Sequence, residues 1–128
     1  MKIFINENSP LPIYAQIIQA VKNSILNHEL RSGDMLPSIR SLARELGISV
    51  ITTKRAYEEL EKQGLIYSEQ GKGFFVNEVN QNLLLENRLK EYEKRLRDMI
   101  CEAKGLGLSS EEVSEMVQLF WDNGGEKL

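Results

Sequence analysis

The sequence predicts a mainly α-helical fold with one small β-hairpin and a helical C-terminal extension. Apolar residues recur with helical spacing in five segments of the chain. Two β-prone runs flank a short turn that contains two glycines. The length of 128 residues allows one compact core and an appendage. We therefore expect an N-terminal domain over residues 1–77 and a helical region over residues 78–128.

Three helices are predicted in the first domain. The first runs over about residues 12–28, with its apolar residues on one face. Ser38 is a good N-cap for a second, short helix that Gly47 ends. Ser49 caps a third helix, which extends over residues 49–63. A turn of about three residues joins the second and third helices, and this arrangement is typical of a helix-turn-helix.

The two β-prone runs form a predicted hairpin over residues 66–76. A hairpin that directly follows a helix-turn-helix is typical of a wing, so the N-terminal domain is predicted to be a winged helix-turn-helix.

Beyond the hairpin, a long charged helix carries an apolar seam whose spacings alternate between four and three residues. A final helix, capped by Ser109, has a second apolar face. Because a helix of about 24 residues outruns a small domain, we expect a two-helix homodimerisation extension. The alternative is that the seam folds back on its own domain. The predicted interface residues are Leu85, Leu89, Tyr92, Leu96, Met99, Ala103, Val117, Phe120 and Trp121.

Composition and motifs narrow the classes of function. No segment is long and apolar enough to span a membrane, and the N-terminus lacks a signal-peptide pattern, so we expect a cytoplasmic protein. The single cysteine, Cys101, and the single histidine, His28, leave too few ligands for a structural zinc site. The chain contains no recognisable catalytic motif. We therefore expect no enzyme activity, no metal site and no cofactor.

The net charge of −3 is unusual for a protein that binds nucleic acid. The excess acid lies in residues 77–128, which carry eleven acidic and seven basic residues, whereas residues 34–76 carry six of each. A neutral N-terminal domain can still present its lysines and arginines on one face.

The predicted arrangement of helices and hairpin fits double-stranded DNA. The major groove, about 12 Å wide, admits one helix, and a hairpin tip can reach the adjacent backbone or minor groove. We expect the N-terminal residues of the third helix at base edges, where Val50 or Ile51 can meet a thymine methyl group. Arg40 has a forked guanidinium group, which can form two hydrogen bonds with the edge of a guanine. We expect Arg44 and Arg55 to contact phosphates.

Four motifs that occur in order resemble the winged-helix domain of GntR-family transcription regulators. They are PIYAQI at residues 12–17, GDMLPSIRSLA at 33–43, AYEELEKQGLI at 56–66 and GKGFFV at 71–76. The short C-terminal region looks like that of the YtrA-like branch of the family, in which it serves mainly for dimerisation.

The resemblance implies that Arg40 reads a guanine, that the start of the third helix lies in the major groove and that Gly71 lies against DNA. This chain departs from some members of the family at two positions. It has Val50 in place of a second base-reading arginine and Gln70 in place of a wing histidine. The operator sequence therefore does not transfer from relatives.

The predicted function is that of a DNA-binding transcription regulator, a repressor that binds a palindromic operator as a homodimer and responds to an unidentified small-molecule effector. The alternative is a winged-helix adaptor that binds another protein and not DNA, whose third helix would lack cations; Lys54 and Arg55 count against it. The predicted DNA contacts are Ser38, Arg40, Arg44, Ser49, Val50, Ile51, Thr52, Lys54, Arg55, Gly71 and Lys72.

Overall fold

A computed structural model of the chain describes residues 2–123. Its elements in chain order are α1 (Ile13–Leu26), α2 (Ile39–Leu46), α3 (Val50–Lys62), β1 (Ile66–Glu69), β2 (Gly73–Val76), α4 (Gln81–Gly105) and α5 (Ser110–Asp122). These residues form five helices and one two-stranded antiparallel sheet, which confirms the predicted fold class. The first helix ends two residues earlier than predicted, at Leu26.

The chain divides into two compact units, Met1–Leu85 and Glu86–Leu128. The last five residues of the second unit, 124–128, and Met1 lie outside the described residues. The first unit continues past the predicted domain boundary after residue 77, because Leu84 in the first turn of α4 is buried with its core. The division into functional domains at residue 77 stays a prediction.

Helix α3 is the central element of the first unit, since it packs against α1, α2 and β1. Its buried residues recur at spacings of three and four along one face of the helix. Each large aliphatic side chain buried here stabilises the fold by about 1.5 to 3 kcal/mol. The core consists of Ile17, Ile18, Val21, Ile25, Leu30, Leu36, Leu42, Ala56, Tyr57, Leu60, Leu65, Ile66, Val76 and Leu84. The opposite face of α3 is left exposed.

Serine caps fix where α2 and α3 begin. The Ser38 hydroxyl accepts a hydrogen bond from the backbone N–H of Ser41 at 3.0 Å, and the Ser49 hydroxyl accepts one from the N–H of Thr52 at 3.0 Å. Gly47 ends α2 with a φ of 67°, a left-handed conformation that costs glycine little. Each cap is worth about 1 kcal/mol. Only three residues separate the two helices, as a helix-turn-helix requires.

The second strand of the wing is paired along both of its edges. On one edge β2 pairs with β1, with Ile66 opposite Val76. On the other edge, the N–H of Leu36 donates to the carbonyl of Phe74 at 2.9 Å, and the N–H of Val76 donates to the carbonyl of Asp34 at 2.8 Å. The segment that leads into α2 is thus attached to the wing.

The second unit consists of the larger part of α4 together with α5. Ser109 and Glu112 form the predicted capping box at the start of α5, each side chain bonding the backbone N–H of the other residue. No helix within residues 2–123 is long and apolar enough to cross a membrane. Over the same range, no group of three or more histidine, cysteine, aspartate or glutamate side chains is placed to hold a metal ion.

Candidate nucleic-acid interface

The charges of α3 are segregated along the helix. Lys54 and Arg55 lie in its N-terminal half and are exposed, whereas its C-terminal half carries three acidic residues, Glu58, Glu59 and Glu61, and one basic residue, Lys62. The N-terminal end of a helix also carries the positive end of the macrodipole. The end of α3 that begins at Ser49 is therefore the end suited to a polyanion. The adaptor alternative requires a helix face without cations, and this half of α3 presents two cations.

The first turn of α3 presents aliphatic groups to solvent. Ile51 is 81% exposed and Val50 is 45% exposed. The neighbouring hydroxyls are engaged with each other, because Ser49 Oγ donates to Thr52 Oγ1 at 2.8 Å while it accepts from the Thr52 N–H. Of these two hydroxyls, the one on Thr52 keeps its hydrogen available to donate to another group.

Arg40 and Arg44 extend from α2 into solvent. Both are exposed, and neither guanidinium forms a hydrogen bond or an ion pair with any residue in the part of the chain that the structure describes. A guanidinium offers five donors in a planar fork that matches a guanine edge or a phosphate. Arg40 lies in the first turn of α2, directly after the Ser38 cap, and Arg44 lies in its last turn.

Arg55 is held in place by an aromatic ring. Its guanidinium carbon lies 3.8 Å from the ring centroid of Tyr14 in α1, which is the geometry of a cation–π contact. The other two predicted cations form loose, exposed ion pairs, Lys54 with Glu58 and Lys72 with Glu69, both at 3.8 Å. Such surface pairs contribute little to stability, so both lysines can exchange them for phosphates.

The turn of the wing and the start of α2 line one groove. This groove has a volume of about 630 Å³ and is lined by Ser38, by Gly71 and Lys72 of the turn, and by flanking wing residues. Gly71 has a φ of 78°, a conformation that residues with a Cβ rarely adopt. The structure thus brings together Ser38, Gly71 and Lys72, which lie far apart in the sequence.

Tyr57 fastens α3 to the segment before α2. Its hydroxyl donates a hydrogen bond of 2.7 Å to the carbonyl oxygen of Pro37. Burial, with a smaller contribution from the Glu45 carboxylate, raises the pKa of Tyr57 well above its usual value, so the phenol stays protonated as a donor. Sequence analysis missed Tyr57 and Tyr14 as parts of the interface, because the residues they contact are distant in the chain.

Replacing Tyr57 by phenylalanine should lower the free energy of unfolding by about 1 kcal/mol, the usual net value of one hydrogen bond. Because the pKa is raised in the folded state, the stabilisation by protonated Tyr57 is present below pH 10 and declines above the pKa of about 10 of unfolded tyrosine. Urea denaturation of the wild type and of Tyr57→Phe at pH 7 and above pH 10 measures both effects. Tyr67→Phe removes an exposed hydroxyl and is the matched control. Equal loss in both variants would contradict a specific role of the Tyr57 hydroxyl.

The second unit exposes its apolar side chains. None of residues 86–123 is buried, and Leu89, Tyr92 and Trp121 are 51%, 57% and 80% exposed. Near the end of α4, its side chains and those of α5 line an apolar cleft of about 260 Å³. Of the predicted interface residues, Leu96, Met99, Ala103, Val117 and Phe120 line this cleft, and Leu85, Leu89, Tyr92 and Trp121 do not.

Comparison with known families and proteins gives consistent results. The family described as bacterial regulatory proteins, gntR family, matches residues 13–76. The HTH-type transcriptional repressor YtrA of Bacillus subtilis is 34% identical over 116 residues, which are 91% of this chain and 89% of that protein. The region matched by the family, residues 13–76, includes α1, the helix-turn-helix and the wing.

Solved structures are also similar to this chain. A transcriptional antiterminator from Listeria monocytogenes EGD-e has a TM-score of 0.70 and 31% identity, with 99% of this chain and 95% of that chain covered. The DNA-binding domain of AraR in complex with operator ORX1 has a TM-score of 0.52 and 33% identity, with 57% of this chain and 90% of that chain covered.

Proposed function

Because the chain belongs to the GntR family of bacterial regulatory proteins and is a DNA-binding transcription regulator, we propose that it represses transcription as a homodimer on a palindromic operator. In each protomer, the N-terminal end of α3 enters the major groove and the wing contacts the adjacent backbone or minor groove. The observation that carries this proposal is the exposed face of the first half of α3. This face presents two cations, Lys54 and Arg55, and the neighbouring helix presents Arg40, whose guanidinium has no partner within residues 2–123.

The cations divide into those that read bases and those that position the protein. Arg40 reads a guanine, because its fork is unpaired and lies at the beginning of α2. Arg44, Lys54, Arg55 and Lys72 neutralise phosphates and set the register without reading sequence. The backbone approaches DNA closely at Gly71 in the wing, where no side chain intervenes, and the hydroxyls of Ser38, Ser49 and Thr52 lie at the starts of the two helices.

The homodimer follows from the exposed apolar faces of α4 and α5. Because none of residues 86–123 is buried, this part of the chain has little to offset the conformational entropy lost when it is ordered. The same faces of a second copy supply the missing contacts in a two-fold symmetric interface. Two-fold symmetry also presents two α3 helices to half-sites about 34 Å apart.

Repression follows if the dimer blocks polymerase access to the promoter, and the relative YtrA of Bacillus subtilis is itself named a repressor. A small-molecule effector that altered the dimer interface would change the angle between the two α3 helices and release the operator. Because the target is chromosomal DNA, the protein acts in the bacterial cytoplasm.

Footprinting on the DNA upstream of the protein's own gene tests the proposal. We expect one protected region with two symmetric half-sites whose centres lie about one helical turn apart. The logarithm of the binding constant should fall linearly with the logarithm of the salt concentration, because phosphate contacts release counterions. A scrambled duplex of the same composition is the control. Equal affinity for both duplexes, or binding that salt does not weaken, would contradict the proposal.

A further inference from the structure

One large aliphatic side chain of α3 is exposed where a helix enters the major groove. Ile51 is the second residue after the Ser49 cap, is 81% exposed and is not part of the core cluster. Its neighbour Val50 is 45% exposed. Packing within the first unit therefore does not account for an isoleucine at this position.

The hydroxyls of Ser49 and Thr53, which flank Ile51, already donate their hydrogens within the protein. The Ser49 hydroxyl uses its hydrogen on Thr52 Oγ1 and accepts from the Thr52 N–H, and the Thr53 hydroxyl donates to the carbonyl of Ser49 at 3.1 Å. Among the side-chain hydroxyls of this turn, that of Thr52 is the one whose hydrogen has no acceptor within residues 2–123. What the turn offers without rearrangement is an aliphatic surface.

We propose that Ile51, and not Val50, recognises the C5 methyl group of a thymine in each operator half-site. The inference rests on the proposed placement of α3 in the major groove. Thymine is the one standard base that presents an apolar group on that edge. Contact with Ile51 removes the methyl group and the isoleucine side chain from water together.

The same contact disfavours the other bases. Guanine, adenine and cytosine have no methyl group on their major-groove edges, and each presents hydrogen-bonding groups there. Against Ile51 these groups would lose water and gain no partner, which carries the cost of an unsatisfied polar group. Ile51 therefore contributes specificity by attraction to thymine and by rejection of its competitors.

Replacing thymine by deoxyuridine tests the contact, because it removes the methyl group and leaves base pairing intact. Each thymine of the operator is replaced in turn at both symmetric positions, and affinity is measured by gel shift. At one position we expect a loss of about fourfold per half-site, the value for burying one methyl-sized group. Two half-sites together should lose about sixteenfold if the effects are additive.

Protein variants assign the contact to its residue. Ile51→Ala should weaken binding to the thymine operator and bind the thymine and deoxyuridine operators equally. The variant should fold, because Ile51 is exposed and alanine favours helix, and thermal unfolding checks this. Val50→Ala and Lys54→Ala are the matched controls in the same helix, and both should retain the preference for thymine of about fourfold per half-site.

The outcomes separate this inference from the proposed function. If deoxyuridine has no effect at any position of a specifically bound operator, the methyl contact is absent while the regulator remains. If the preference persists in Ile51→Ala and disappears in Val50→Ala, the reading residue is wrong. If the wild type binds no duplex specifically, the proposed function itself fails.

Discussion

Replacing Arg40 by alanine should weaken operator binding by about 1 to 3 kcal/mol, which is about 5- to 150-fold, and should relax the preference at one base pair of each half-site. The guanidinium is exposed and unpaired among residues 2–123, so its removal breaks no hydrogen bond or ion pair with these residues. Binding to a panel of operators with single base-pair changes measures both effects. Lys72→Ala should instead weaken specific and non-specific binding alike.

Arg40→Lys and Arg44→Lys form a matched pair of controls, since both keep the charge and remove the planar fork. We expect Arg40→Lys to lose the base preference and Arg44→Lys to retain it, because a lysine still neutralises a phosphate but does not reproduce a bidentate contact. The base-reading role of Arg40 is refuted if Arg40→Ala and Lys72→Ala lower affinity for operator and unrelated DNA in the same proportion.

Replacing Leu89 and Leu96 together by aspartate should convert the dimer into monomers and lower operator affinity by about 10²- to 10⁴-fold. Each substitution places a charge without a partner in a dehydrated interface, which is far costlier than exposing it. In a dimer, binding of one DNA-binding domain to its half-site also raises the effective concentration of the second domain at the other half-site, which separate monomers lack. Light scattering after size exclusion measures the mass, and gel shift measures the affinity.

Lys94→Gln combined with Arg97→Gln is the matched control, because it changes the net charge by the same amount at positions of α4 off the seam. This control should remain dimeric and bind the operator, and circular dichroism should show that both double variants keep their helices. A dimer of unchanged mass after substitution of Leu89 and Leu96 would reject the proposed interface.

The elements of the fold were predictable because their signals are local. Ser38 and Ser49 cap helices within one turn of themselves, and Gly47 ends a helix through its own backbone conformation. The two β-prone runs and the glycine-containing turn that predicted the hairpin also lie within a few residues of one another. The exception is the segment before α2, whose pairing with β2 through Leu36 and Phe74 no local pattern indicates. That pairing joins residues on opposite sides of the helix-turn-helix.

The candidate interface was predictable as a set of residues but not as an arrangement. Charge along α3 and the position of Arg40 after a cap are readable from the sequence, because helical geometry assigns their order. The hydrogen bonds and ring contacts of each side chain are not readable from the sequence. Arg55 stacks on Tyr14, and the hydroxyls of Ser49 and Thr52 are paired with each other. Both facts depend on how side chains meet in space.

The sequence alone determined which segments form helices and hairpin, which helix ends are capped and where cations and apolar seams lie, because these depend on neighbours within about one turn. Tertiary structure alone decided that Tyr57 fastens α3 to Pro37 and that the wing turn shares a groove with the start of α2. Such contacts arise when the burial of the core brings distant residues together, and no local pattern encodes which pairs will meet.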